Sequence, residues 1–257
     1  MQPLAATLAA LLLAHLLADF PLQTGWLIRN KGRKLSALLL HGAVHYALAW
    51  SCLVFFGHVR FLSVRNQAIL IACLMIHLAV DWTKSTLIAR SAVLDNTWTF
   101  LTDQTLHLTA LTLAAFLITR SGIADLTAWI SISALARNRL LETAIVYVSV
   151  VFGGGYLIRY LTTGVARHTR GEPESQLQNA GLYIGWIERA LVVTAMVLQS
   201  PTLVGLILTG KSIARFPEFR EARFAEYFLI GTLLSFSLSL LGGIVLLHLL
   251  YGSVSLR

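Results

Sequence analysis

Stretches of about twenty apolar residues follow one another along almost the whole chain, and this tiling leaves few folds open. In lipid only helices and closed barrels satisfy their own backbone groups, and about 20 apolar residues are what one helix needs to cross. Such segments occupy about Pro3–Leu22, Leu35–Gly57, Gln67–Ile88, Trp98–Thr119, Leu140–Tyr160, Gly181–Leu198 and Tyr227–Tyr251, with a shorter run at Leu203–Ala214. The pattern predicts an all-α fold: a polytopic transmembrane helix bundle of seven or eight spans, with an N-terminal four-helix bundle. Only 12% of the residues are charged, against roughly 25% in soluble domains. A soluble fold, a secreted disulfide scaffold, a disordered chain and a nucleic-acid-binding domain are all excluded on that ground.

The most polar stretch, Arg167–Gln178 (RHTRGEPESQLQ), is expected to be a loop. It separates an N-terminal bundle, residues 1–166, from C-terminal helices, residues 179–257, within one integrated membrane domain. Leu126–Leu135 is too short to span and is expected at the interface. The first apolar run has no basic residues before it and carries His15 and Asp19, so it reads as a span and not a cleavable signal. The net charge of +8 comes from basic residues between apolar runs, which points to a lipid bilayer as partner and not to nucleic acid. Arg29, Lys31, Arg33 and Lys34 follow the first span and Lys84 and Arg90 the third, which predicts cytoplasmic loops there and an outside N-terminus. His58, Arg60 and Arg65 run against that assignment. Cys52 and Cys73 fall inside apolar runs, where packing is their expected role.

Four pairs of ionisable residues stand out against this background. They are His15/Asp19, His41/His45, His77/Asp81 and Asp103/His107, one pair in each of the first four spans and each at spacing i, i+4. That spacing places both side chains on one helix face, one turn apart. Chance placement of the His and Asp residues would give roughly 0.6 such pairs. The pairs come late in the first span and early in the second and fourth. In a chain that runs alternately down and up, that order brings them to one level.

A carboxylate at the centre of a membrane helix costs about 2.5–3.5 kcal/mol on insertion scales. Three of them with five imidazoles call for compensating charge, and the sequence shows no clear basic partner for all three. Divalent cations would supply it, and imidazole with carboxylate suits Zn²⁺, Fe²⁺ or Mn²⁺. His15, Asp19, His41, His45, His77, Asp81, Asp103 and His107 are the expected ligands of one or two ions. Asp19, Asp81 and Asp103 are the candidates for proton transfer.

Weaker signals lie elsewhere. Lys84 is placed to meet a substrate anion or to snorkel to the lipid interface. Glu188, Arg189, Lys211 and Arg215 could form an ion network or an anion pocket for substrate. Gly153, Gly154 and Gly155 lack a strand–turn–helix context and read as close helix packing.

HLLADFPLQT (His15–Thr24), HGAVH (His41–His45), HLAVDWTK (His77–Lys84) and DQTLH (Asp103–His107) resemble a family of bacterial inner-membrane proteins of unknown function, domain of unknown function 3307. IGWIER (Ile184–Arg189), KSIARF (Lys211–Phe216) and EYFLIGTLLS (Glu226–Ser235) are similar to the C-terminal half of its longer members. The resemblance implies an inner-membrane location and no activity. A looser similarity is to predicted membrane-bound metal-dependent hydrolases, which also carry His and Asp on early spans.

Three functions follow from these residues. A metal-dependent hydrolase would act on a lipid, lipid-linked or membrane-peptide substrate, with the ion activating water. A divalent-cation transporter of the zinc type would use the His-xxx-Asp pairs as a transport site. A di-iron oxidoreductase would need His-richer clusters than these.

Overall fold

The computed structural model describes residues 3–57, 63–122, 138–166, 180–220 and 222–252, and among them there is no strand. The helices are α1 (Pro3–Asp19), α2 (Gly25–Asn30), α3 (Leu35–Phe56), α4 (Val64–Ala89), α5 (Thr97–Thr119), α6 (Arg139–Val148), α7 (Gly154–Ala166), α8 (Ala180–Val197), α9 (Pro201–Ala214) and α10 (Ala222–Tyr251). A π-helical turn at Ser149–Gly153 joins α6 to α7, and a 3₁₀ turn at Phe216–Arg220 precedes α10. Local chemistry sets several boundaries. Thr24, Ser63 and Asn96 cap α2, α4 and α5 by accepting from the backbone N–H of Leu27, Asn66 and Thr99. Pro21, two residues beyond Asp19, stands where α1 has ended.

Five helical stretches are long and apolar enough to cross a membrane: Leu35–Phe56, Val64–Ala89, Thr97–Thr119, Arg139–Thr162 and Phe224–Tyr251. The other expected segments are helical but shorter or less apolar. α1 has 17 residues and is about 25 Å long at 1.5 Å per residue, less than the roughly 30 Å hydrocarbon core. α9 has 14 residues, and α8 carries the adjacent Glu188 and Arg189 at its middle. The expected interfacial segment Leu126–Leu135 and the polar loop Arg167–Gln178 lie outside the described residues.

The chain divides into two compact units, residues 1–145 and 146–257. In the first unit α1 is the interior helix, buried on every side from Leu4 to Ala18 apart from half-buried Leu12 and Leu17. It packs against α3 and α5, while α4 packs against α3 and α5 and the short α2 lies on α3. α3, α4 and α5 turn their His and Asp residues inward and many of their Leu, Phe, Met and Trp outward, as with Leu39, Phe55, Met75, Trp98 and Leu113. That arrangement reverses a soluble protein and suits helices whose outer surface meets hydrocarbon. Cys52 and Cys73 are buried and unbridged.

In the second unit α8 packs on α9 and α10, and α7 on α10. Val192, Ala195, Met196, Val204 and Leu247 form one apolar cluster and Val150, Val193 and Leu246 another. Glycines allow the close approach: a Cβ at Gly242 would stand 2.5 Å from Val150, and one at Gly243 the same distance from Met196. Gly154 meets Leu238 and Gly155 meets Arg189, so the packing role expected of this glycine run holds at both.

Candidate metal centre

The i, i+4 pairs on α1, α3, α4 and α5 all face the interior of the first unit. None of the eight side-chain-bearing residues is more than 7% exposed. Asp19 on α1 lies 3.0 Å from His45 Nε2 and 3.2 Å from His41 Nε2, both on α3, and 3.8 Å from His77 Nε2 on α4. Asp81 on α4 lies 3.0 Å from His41, 3.4 Å from His77 and 3.8 Å from His107 Nε2 on α5. Asp103 is 3.4 Å from His107 within α5. His15 closes the cluster, 3.6 Å from Asp19 and with its ring centroid 5.1 Å from that of His107. Four helices thus bring five imidazoles and three carboxylates into one contiguous cluster, as the shared spacing and level predict.

Two lysines belong to it, and here the structure corrects the sequence reading. Lys31, in the loop after α2, donates to Asp81 Oδ2 at 2.8 Å. Lys84 donates to Asp103 Oδ2 at 2.9 Å and not to the lipid interface. Two of the three carboxylates therefore do have a basic partner. Lys31 was hidden because its partner lies 50 positions away, and a basic loop residue reads by default as an orientation signal. Burial pulls the Lys31 ammonium down, but Asp81 and Asp19 outweigh it and hold it above the usual lysine value, so it stays charged. With its amide turned to suit its neighbours, Gln23 accepts from Lys31 at 2.8 Å and donates to the Asp19 carbonyl at 3.3 Å. Nothing in the sequence marks Gln23.

Three groups of donor atoms, each within 4.8 Å of one another, could hold a metal ion: His15, Asp19, His45 and His77; Asp19, His41, His77 and Asp81; and Asp81, Asp103 and His107. Asp19 and His77 are shared by the first two and Asp81 by the last two. Buried polar atoms usually have a hydrogen-bond partner. Here Nδ1 of His15 and His41, both ring nitrogens of His107 and Oδ1 of Asp103 have none. In the third group the lysines occupy Oδ2 of each carboxylate, while Oδ1 of Asp81 and Asp103 lies on the His107 side. Asp103 Oδ1 and His107 Nε2 thus face each other at 3.4 Å, longer than a good hydrogen bond, with a separation that two ligands of one ion can share.

Two spaces adjoin the cluster. A small cavity of about 40 Å³, bordered by His15, His45 and His77, has room for a water. A groove of about 550 Å³ between α4 and α5 is lined by Ile76, Val80, Leu87, Trp98 and Leu106, and ends at Lys84 and Asp103.

The remaining sequence candidates lie in the second unit. Lys211 Nζ bonds Glu188 at 2.6 Å. Arg189 is buried and donates to the Val151 carbonyl. With Arg215 they border a separate cavity.

A family model described as protein of unknown function (DUF3307) matches residues 7–136, and the chain belongs to that family. All eight His and Asp residues of the cluster fall inside the matched segment. No curated protein and no solved structure matches the chain.

Proposed function

We propose that this DUF3307 chain holds one divalent metal ion on Asp81, Asp103 and His107 and uses it to hydrolyse a lipid, lipid-linked or other membrane-dissolved substrate. The observation that carries the reading is the convergence of three buried ligand atoms, Asp103 Oδ1 3.4 Å and Asp81 Oδ1 3.8 Å from His107 Nε2, at distances longer than good hydrogen bonds. Lys31 and Lys84 on the far oxygens orient the ligating ones, as partners of metal ligands do. Three protein ligands leave coordination positions for water and substrate, the pattern of a catalytic site. Zn²⁺ fits this donor set, and Mn²⁺ or Fe²⁺ would accept it too.

Charge sets the number of ions. Asp19, Asp81 and Asp103 carry three negative charges and Lys31 and Lys84 two positive ones, which leaves one negative. One divalent ion turns that into one positive, which a hydroxide or an anionic substrate cancels. Two ions would leave three positive charges in a buried site. An ion held there would lower the pKa of a water bound to it and polarise the scissile group. Asp19, bonded to no lysine among the described residues, is placed to receive the proton through His41, 3.2 Å away. The groove supplies the apolar approach: a chain lying along Ile76, Val80 and Leu106 would bring its head to Lys84.

We place the protein in the bacterial inner membrane with its N-terminus outside. Arg29, Arg33 and Lys34 in the first loop support that orientation, whereas Lys31 is committed to Asp81. A divalent-cation path is the second reading. It rests on the overlap of the three donor groups through Asp19, His77 and Asp81, which gives an ion successive adjacent positions.

The test is elemental analysis of the purified full chain, together with metal-dependent release of product from lipid substrates in mixed micelles. About one equivalent of metal, lost with activity in His107→Ala, is the expected result. A metal-free protein ends both readings. A bound metal without hydrolysis, but with metal flux into vesicles, would favour the path.

A further inference from the structure

The second unit contains its own built site. A π turn shifts helical hydrogen bonding by one residue and releases a carbonyl, and such turns gather at functional positions. Within the turn Ser149–Gly153 the Val151 carbonyl accepts two hydrogen bonds from Arg189, from Nε at 3.0 Å and from Nη2 at 2.8 Å. Arg189 Nη1 donates to Ser235 Oγ at 3.3 Å. The residue is 3% exposed, and no carboxylate of the described residues lies within 4.0 Å of its guanidinium. Two helices make room for it with glycine: a Cβ at Gly155 would stand 2.6 Å from Nη2, and one at Gly185 3.0 Å from Nη1. A guanidinium buried among apolar helices without a counter-ion marks a place where an anion is wanted.

Beside it opens a cavity of about 630 Å³, within the range of small-molecule sites. Arg189, the Lys211–Glu188 pair, Arg215, Thr232 and Ser235 form its polar wall. Thr232 Oγ1 is buried there without a hydrogen-bond partner. The rest is apolar, from Ile158 and Leu182 to Leu206 and Phe228.

We propose that this cavity binds one amphiphile by an anionic head, phosphate or carboxylate, on an apolar chain. Arg189, Lys211 and Arg215 outnumber Glu188 around the cavity, and an anionic head offsets the excess positive charge. Arg189 is fixed in place by Val151 and Ser235, so it is preorganised. Lys211, held by Glu188 and lying 5.2 Å from the Phe228 ring centroid, has a 19% exposed side chain that can turn to the incoming head. The apolar wall takes the chain, and Thr232 offers the head a hydroxyl. The site lies outside the residues matched by the family model and needs no metal.

The experiment uses the full chain in phosphatidylcholine nanodiscs and three probes sharing one acyl chain: oleoyl lysophosphatidylglycerol, oleate and oleoyl lysophosphatidylcholine. Binding is read by native mass spectrometry. At least one anionic probe should bind tenfold or more tighter than the zwitterion, and the tighter of the two identifies the head as phosphate or carboxylate. Lys211→Gln should weaken it about tenfold, and Glu188→Gln should strengthen it. Members of one ion pair that act with opposite sign are diagnostic, because a merely structural pair would fail in the same direction at both. Equal binding of all three probes overturns the proposal, as do substitutions that move affinity the same way or not at all. Should Lys211→Gln not fold, Glu188→Gln decides alone by its sign.

Discussion

Asp103→Asn separates a metal centre from a purely structural ion-pair network. Asp103 takes Lys84 on Oδ2 at 2.9 Å and faces His107 with Oδ1 at 3.4 Å. Asparagine keeps the shape and removes the charge. Breaking a fully buried pair costs about 3–5 kcal/mol. The Lys84 side chain is 22% exposed and borders the groove, so its ammonium can turn outward, and about 1–3 kcal/mol is expected. The metal adds a second loss. Partners of ligands alone are worth 10–100-fold in metal affinity, so a ligand should be worth at least about a hundredfold. Metal at 100 times its Kd stabilises by about 2.7 kcal/mol, and nearly all of that vanishes with the substitution. At about 2–4 °C per kcal/mol for a chain of this size, the chelator-sensitive part of the melting temperature is about 5–11 °C. The assay is thermal unfolding in detergent, with zinc and with chelator, for wild type, Asp103→Asn and the double variant Lys84→Gln/Asp103→Asn. Removing both partners should restore most of the chelated protein's stability, while the metal-dependent part stays lost. If the double variant keeps the full metal-dependent shift, or wild type has none, Asp103 is not a ligand.

Elemental analysis should find about one equivalent of metal per chain, and two tightly held equivalents would refute the charge count over Asp19, Asp81, Asp103, Lys31 and Lys84. Metal retention should fall as pH drops, because His107 must be neutral and the carboxylates ionised to ligate, and protons then compete with the ion; a flat profile from pH 8 to 5 in equilibrium dialysis would exclude histidine ligation. Gly155→Ala should lower the melting temperature by the equivalent of about 1–3 kcal/mol, since its Cβ would stand 2.6 Å from Arg189. Gly205→Ala, with nothing within 4 Å of its Cβ, should be neutral or stabilising by up to about 1 kcal/mol; equal effects at both glycines would remove the packing argument for the Arg189 niche.

Much of the first unit is legible in the sequence because its signals are local. Helix spacing puts His15 above Asp19 and His77 above Asp81, and apolar length gives α3, α4 and α5. What lies hidden is set by contacts between distant segments. Lys31 meets Asp81 only because α2 folds the first loop back onto the cluster, and no periodicity announces that. The same holds for Arg189. Its neighbour Glu188 suggests a local pair, yet Glu188 goes to Lys211 and Arg189 to a carbonyl in a π turn that the sequence does not mark. The length of α1 is a third case: Pro21 is visible, but that α1 is interior, and can therefore be short, depends on three helices around it.

The lysines sharpen the case for an ion. Had no base been present, three buried carboxylates would have demanded cations on charge alone, and any arrangement would have served. With Lys31 and Lys84 in place, one His⁺ would neutralise the cluster without metal, so charge by itself no longer decides. Geometry does. A network built for stability would turn its spare atoms toward donors, and a buried ionic network is in any case seldom more stabilising than apolar packing of the same volume. Instead each lysine takes the outer oxygen of its aspartate, Asp103 Oδ1 faces His107 Nε2 at a distance longer than a good hydrogen bond, and His107 Nδ1 has no hydrogen bond, beside an apolar groove that Asp103 borders. Each unmade hydrogen bond costs about 1–3 kcal/mol. A fold that bears that cost at Asp103 and His107, while satisfying Asp81 and Asp103 on their other side, is arranged around something that binds between them.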